Sequence, residues 1–382
     1  MRQLLTLGIL CLSYISYSQI DWNSYEEADN TIKNLSLQAS SNFSAVATNL
    51  SNNSFLGNLG INYSSRKVKD LGITNFSIGN QFLSDYENLS NSTNQFRFDL
   101  NHSHYFNDRR GLFVKGSLSG NYRFNNDDSF ASDFSDNNQV GIHIGYGRME
   151  NISRVYQSIR INKSQNNIGA LNQDKVFHMA DALSQINYND VFNNGSIDAD
   201  KQARFISELE SQGHDLSSQA NLGAALNNFT FEIPNVLRQG KAISFGIEEN
   251  RSFDRKSSSR SAVINLDYAS AINDKWHFDS HGDVRQRLGG NNSRGYNLNT
   301  SLSYIPSART RISFNNSLSY DDLRTYNVLS NSTSINASYA VSKNVSVFGN
   351  IGYNIQKISG SDILETRKFK GLFSGMGVKI NF

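Results

Sequence analysis

The sequence predicts an all-β fold, a closed antiparallel transmembrane β-barrel of about fourteen strands with a mainly α-helical insert between the sixth and seventh. Three observations carry this expectation. Apolar residues recur at every second position through most of the chain, which is the period of a strand. The alternating stretches run for about 10 to 14 residues, longer than the mean soluble strand of about 5 to 6 and long enough to cross a bilayer at a tilt. The connections between them alternate short and long, as in barrels with tight turns at one rim and extended loops at the other.

Composition removes competing classes. The 382 residues carry 36 basic against 34 acidic side chains and 11% aromatics, unlike a disordered polymer of high net charge and few rings. Mean hydropathy is −0.49, and after the amino-terminal stretch there is no run of about 18 apolar residues, so helical membrane spans are excluded. Lys and Arg form no block, which leaves no nucleic-acid footprint. Asn and Ser make up about a quarter of the chain.

Met1 and Arg2 precede an apolar stretch over residues 4–15, then Ser16, Tyr17 and Ser18. That order, with small residues at the two positions a peptidase inspects, predicts a signal peptide over residues 1–18 and therefore export. Cys11 lies within it, so the exported chain has no thiol, disulfide or cysteine metal site. A bulky Leu10 before Cys11 fits a lipidation signal poorly.

The last strand shows the period best. Leu372, Met376, Val378, Ile380 and Phe382 share one face with Ser374, against Gly375, Gly377, Lys379 and Asn381 on the other. Phe96, Phe98 and Leu100 oppose Arg97, Asp99 and Asn101; Leu112, Val114, Leu118 and Tyr122 oppose Lys115, Ser117, Ser119 and Arg123. Counting back from the carboxyl end gives strands 1–6 within residues 42–149, the first of them at 42–50, and strands 7–14 within 240–382. Residues 19–41 are then an amino-terminal periplasmic or hatch segment, and the even count puts both ends at the short-turn rim. Twelve or sixteen strands fit the pattern as well, and an exported soluble sandwich is the competing architecture. Long loops are expected at 84–94, 125–137, 252–260, 288–294, 321–330 and 359–369.

Between residues 150 and 239 the period becomes helical. Ile152, Val155, Tyr156 and Ile159 recur at helix spacing, as do Val176, Phe177, Ala180 and Leu183, then Ala203, Ile206 and Leu209, then Leu222, Ala225 and Leu226. Ser196 to Asp200 reads as a helix start and Gly213 as a stop. The insert leaves strand six at the short-turn rim, on the periplasmic side, either as a cap on that rim or as a docking surface for a partner.

The strand over residues 276–287 carries the densest polar pattern. Trp276, Phe278 and Val284 face one way; His277, Asp279, His281, Asp283, Arg285 and Arg287 face the other. With lipid against the first face, these ionisable groups line the interior, where charge is solvated. Arg97, Asp99, Lys115 and Arg123 extend that lining, and Asp267 and Lys379 add to it. A metal reading of His277, Asp279 and His281 lacks a third ligand cluster. A hydrolase reading of His102, Ser103 and His104 fails on alternation, since Ser103 falls on the opposite face from both histidines. Trp276, Tyr105, Tyr146 and Tyr304 read as an aromatic belt.

On the signal peptide, the alternating strands and the final strand closing at Phe382, the chain resembles bacterial outer-membrane β-barrel proteins. The Asn-rich composition and the segment Gly145-Tyr146-Gly147-Arg148-Met149-Glu150 entering a helix are similar to barrels of the Bacteroidota. The resemblance implies residence in the outer membrane, contact with its lipid, and assembly machinery that reads Phe382 as its signal. It implies no cofactor and no catalysis. Two functions follow: a porin-like passive channel for small hydrophilic solutes, or a structural component that docks a periplasmic protein partner through the helical insert.

Overall fold

The computed structural model describes residues 20–46, 54–85, 92–126, 134–164, 172–185 and 237–381 apart from 255, 290–292, 324, 343 and 361–365, with isolated positions from 192 to 225. The expected signal peptide, Gly213 and Phe382 lie outside the described residues.

Fourteen antiparallel strands close into a barrel. They are β1 (Asn30–Val46), β2 (Ser54–Lys69), β3 (Gly72–Asp85), β4 (Ser92–Tyr105), β5 (Leu112–Asn126), β6 (Phe134–Asn151), β7 (Arg238–Ser252), β8 (Ser257–Ala271), β9 (Trp276–Leu288), β10 (Arg294–Tyr304), β11 (Thr310–Leu323), β12 (Tyr326–Ala340), β13 (Val345–Gly360) and β14 (Arg367–Asn381). Each pairs with its neighbours in sequence, and β6 pairs with β7 across the insert. The ends meet from Ser36 opposite Asn381 to Val46 opposite Gly371, so the barrel wall itself has no open edge strand to recruit another chain.

Alternation fixes what each face holds. Ile142, Ile144, Phe245 and Met376 point outward, with Ile144 64% and Met376 70% exposed. The opposite faces of the same strands carry His143, Ser244 and Glu248, all buried. This is the reverse of a soluble sandwich, whose apolar faces are hidden between sheets.

Two expectations are corrected here. The first strand begins at Asn30 rather than at residue 42, so residues 30–41 are wall and only residues 20–29 stand off it as an arm. Ser and Asn occur on both faces of β1 and dilute the alternation that Leu35, Leu37, Ala39 and Phe43 provide. The long loop expected over 321–330 is absent, because β11 runs on to Leu323 and β12 resumes at Tyr326. Polar residues there continue the ladder beyond the apolar band.

The insert begins as α1 (Ser153–Ser164) and α2 (Gln173–Gln185). Of their predicted apolar stripes, Ile152 just before α1 and Val155, Tyr156 and Ile159 within it are buried, as are Val176, Ala180 and Leu183 of α2, while Phe177 is partly buried against them. Ile20, Trp22 and Tyr25 of the arm join them in one core, as do Leu237, Ala271 and Ile305 at the rim. Of the helix start read over residues 196–200, residues 198–200 lie outside the described residues, and Ser196 and Ile197 precede them in extended backbone. They pair with Asn193 and Phe192 in a minimal antiparallel ladder.

Candidate functional site: the polar interior and its plug

The arm, α1 and α2 close the short-turn end of the barrel as a plug. Two glycines admit it. Gly147 on β6 has φ of +94° and Gly240 on β7 has φ of +126°, a region that residues with a Cβ rarely enter. Up to Tyr146 the two strands obey strict alternation. Past the glycines Arg148, Glu150 and Asn151 are all buried, so the β6–β7 ribbon leaves the parity of the wall and carries the insert onto the barrel.

Hydrogen bonds then fix the plug to the turns. The Tyr156 hydroxyl donates to the carbonyls of Asn273, at 2.9 Å, and Trp276, at 3.2 Å. Arg160 donates to the Ile305 carbonyl at 3.0 Å, and Lys163 pairs with Asp274 at 2.7 Å. Trp22 packs against Tyr156 with ring centroids 4.9 Å apart. Burial pushes the Tyr156 and Tyr25 hydroxyls well above their usual range and lowers the Arg160 guanidinium. Burial also raises the Asp181 carboxyl, against the opposing pull of Tyr25, His178 and Arg109.

Two buried carboxylates clasp arm to wall. Glu27 pairs with Arg66 at 2.7 Å and accepts from the Asn151 backbone N at 3.0 Å. Glu150 pairs with Arg109 and Arg148, each at 3.2 Å. Arg109 also donates to the Glu27 carbonyl, and Arg110 to the carbonyls of Asn23 and Tyr25. Ion pairs of this kind position elements more than they add net stability, but losing one partner strands the other. None of these residues stood out in the sequence apart from Arg148 and Glu150, because their partners come from four distant segments.

Above the plug, charges of both signs line the interior. Arg238 grips Asp279 with two hydrogen bonds of 2.6 and 2.9 Å and approaches Asp267 at 3.5 Å. His281 meets Asp267 at 2.9 Å. Glu248 meets His143 at 3.4 Å and Arg285 at 3.3 Å, while Asp283 meets Arg285 at 3.5 Å and accepts from Asn297 at 3.1 Å. Asp99, Lys115, His281 and Arg285 border a cavity of about 550 Å³, and Asp279 and His281 border another of about 330 Å³. Arg123 and Arg287 border a third, of about 420 Å³, toward the long loops. Arg97 lies beside that one and donates to Gln95 at 2.7 Å.

Two of the sequence-selected residues are placed differently. His277 faces inward but is 1% exposed, its Nε2 donating to the Arg238 carbonyl at 2.6 Å. It lies at the plug end of β9 and braces the start of β7 rather than facing open space. Tyr105 is not a belt residue. It is buried with Ile73 and Phe113, with the Arg148 guanidinium 5.1 Å above its ring, because its odd position places it opposite His102 and His104. Trp276 and Tyr304 stand opposite each other in register with centroids 4.7 Å apart, and Tyr146 is exposed on the outer face. Ser103 borders the central cavity, whereas His102 contacts Thr74 at 2.8 Å and His104 meets Phe106 edge-on.

No protein-family model matches the chain, and no curated protein sequence does. Among solved structures it is similar to the loop-L8 deletion mutant of OmpT, an outer membrane protein of Vibrio cholerae, at 5% identity over 93% of this chain and 100% of that one, with a TM-score of 0.39. It is similar to an outer membrane channel of Pseudomonas putida F1 at 8% identity over 95% and 100%, TM-score 0.34. It is also similar to the outer membrane protein Omp33 of Acinetobacter baumannii at 9% identity over 91% and 99%, TM-score 0.34. Likeness at this level carries no functional argument.

Proposed function

We propose that this chain is exported by residues 1–18 and sits in the outer membrane as a porin-like barrel through which small hydrophilic solutes pass. The observation that carries the reading is the inversion of polarity across the wall. Large apolar side chains such as Ile144 and Met376 stand exposed outside, while His281, Arg285, Asp99 and Lys115 surround internal space. Water inside and hydrocarbon outside is the one solvent arrangement in which both faces are satisfied. Side-chain lining sets preference by charge, as in other pores, with no catalytic step and no cofactor. The plug narrows the path at the periplasmic end. Phe382 serves as the signal for assembly machinery, and no nucleic acid is involved.

The purified, folded chain placed in a planar bilayer should carry a small steady current, and boiled and unboiled samples should migrate differently on a gel. A barrel that folds but stays silent removes the channel. A second reading, an anchor for a periplasmic partner, draws on the shared apolar core of arm, α1, α2 and rim. Recovery of a specific partner that is lost when residues 150–239 are deleted, with the barrel still folded, would favour it.

A further inference from the structure

We infer that Arg238 couples the plug to the interior: with the plug docked its guanidinium is held across the boundary between two compartments, and release of the plug withdraws it and joins them. The inference rests on the solute-path reading above and names the residue that governs passage between the compartments. Among the described residues, Arg238 and His281 border both the cavity of about 550 Å³ and the one of about 330 Å³. Of the two carboxylates that hold Arg238, Asp267 borders the larger cavity and Asp279 the smaller. Nε and Nη2 donate to Asp279 at 2.9 and 2.6 Å while Nη1 approaches Asp267 at 3.5 Å, and His281 closes the row against Asp267 at 2.9 Å. A planar guanidinium engaged on two sides has a fixed orientation, so its place at the boundary is set by the backbone of residue 238.

That backbone is held by the plug. Leu237 is buried in the core that contains Ile20, Trp22, Val155 and Tyr156. Its backbone N donates to Ser153 Oγ at 3.0 Å, and its carbonyl accepts from the Ile152 backbone N at 2.8 Å. On the other side Gln239 donates from Nε2 to Asn23 Oδ1 of the arm at 2.7 Å and accepts from the Ala271 backbone N at 2.8 Å. Arg238 stands between them as the first residue of β7, opposite Asn151, the last of β6. Three consecutive residues thus grip the start of α1, the ionic ridge and the arm, and a shift of Leu237 and Gln239 carries Arg238 with it. Two equilibria that share such an element are linked reciprocally: loosening the ridge favours plug release by the same factor as plug release favours opening of the ridge.

Hydrogen exchange of the detergent-folded full chain tests this. Asp279→Asn, a change in the wall, is expected to speed exchange in α1 and residues 20–29 about ten-fold. Asp283→Asn, whose partners Arg285 and Asn297 also belong to the wall, should leave that exchange unchanged, with heat-modifiability retained in both. In the converse direction Gln239→Ala, at the arm contact, should raise the bilayer current toward that of Arg238→Gln. Exchange in α1 of folded Asp279→Asn that matches the parent, or that rises equally in Asp283→Asn, overturns the coupling. Coupled exchange with a silent bilayer keeps the link and removes the solute path, whereas current with unchanged exchange does the reverse.

Discussion

Glu27 and Arg66 join the amino-terminal arm to the second strand of the wall. Their Oε2 and Nη2 atoms stand 2.7 Å apart, with the glutamate side chain 2% and the arginine side chain 20% exposed. The pair marks where a ten-residue arm becomes part of the barrel's closure, since the same carboxylate also accepts from Asn151 at the point where the insert begins. Glu27→Ala leaves a largely buried guanidinium and a backbone N without their partner. Plug docking should weaken by about 3 to 5 kcal/mol, read as faster hydrogen exchange in residues 20–29 and in α1 while the strands stay protected. Uniform exchange across wall and plug would show that the clasp is not what holds the arm.

Gly147→Ala and Gly240→Ala should each destabilise the barrel's junction with the insert. An added Cβ would lie 2.2 Å from the Lys241 carbonyl oxygen in the first and 2.3 Å from that of Arg148 in the second, and both positions carry positive φ. The strain is of order 1 to 3 kcal/mol for each position before the clash is counted. Urea unfolding of the two variants in detergent measures it, and Gly282→Ala, whose added Cβ finds no atom nearer than 3.5 Å, is the control that should change little.

Tyr156→Phe should lower plug stability by about 1 kcal/mol, because two turn carbonyls lose a shared donor while the ring packing with Trp22 is kept. Limited proteolysis between α1 and α2 reads this directly. A variant as resistant as the parent would assign the docking to the apolar core alone.

Asp181 gives the plug a pH dependence of unusual sign. Burial raises its carboxyl above the ordinary 3.8, so between that value and the raised one the docked state binds more proton than the released state. Stability of docking therefore falls as pH rises through this window and is flat above it. Asp181→Asn should remove the slope contributed by this group. Proteolysis rates for parent and variant across the acid range provide the comparison, and parallel profiles would count against the assignment.

Asp279→Asn frees Arg238 from its bidentate partner and leaves only the longer approach to Asp267. If solutes pass this point, the reversal potential in a salt gradient should shift toward anions. An unchanged reversal potential in a conducting variant would place Asp279 off the path.

Much of the barrel was legible because alternation is a local property. β14 can be read from seven consecutive side chains, and each face of β9 follows from Trp276 and His277 alone. The helical stripes of α1 and α2 were legible for the same reason, since each repeats within its own sequence. The start of the first strand carries no clear period, because Ser and Asn occupy both of its faces. Tyr105 departs from the expected belt because parity along β4, rather than nearness to a rim, decides the direction of its side chain.

By itself, then, the sequence determined the strand period, the even count, the polar stripe on β9 and the two helices that open the insert, all set by side chains a few residues apart. Tertiary structure alone decided the rest. Glu27, Arg66, Arg109 and Glu150 meet only because the arm folds back under a closed wall, and Arg123 and Arg287 share a cavity only because five strands curve around it. Such groupings are made by closure, whose contacts join residues far apart in sequence and leave no local period to read.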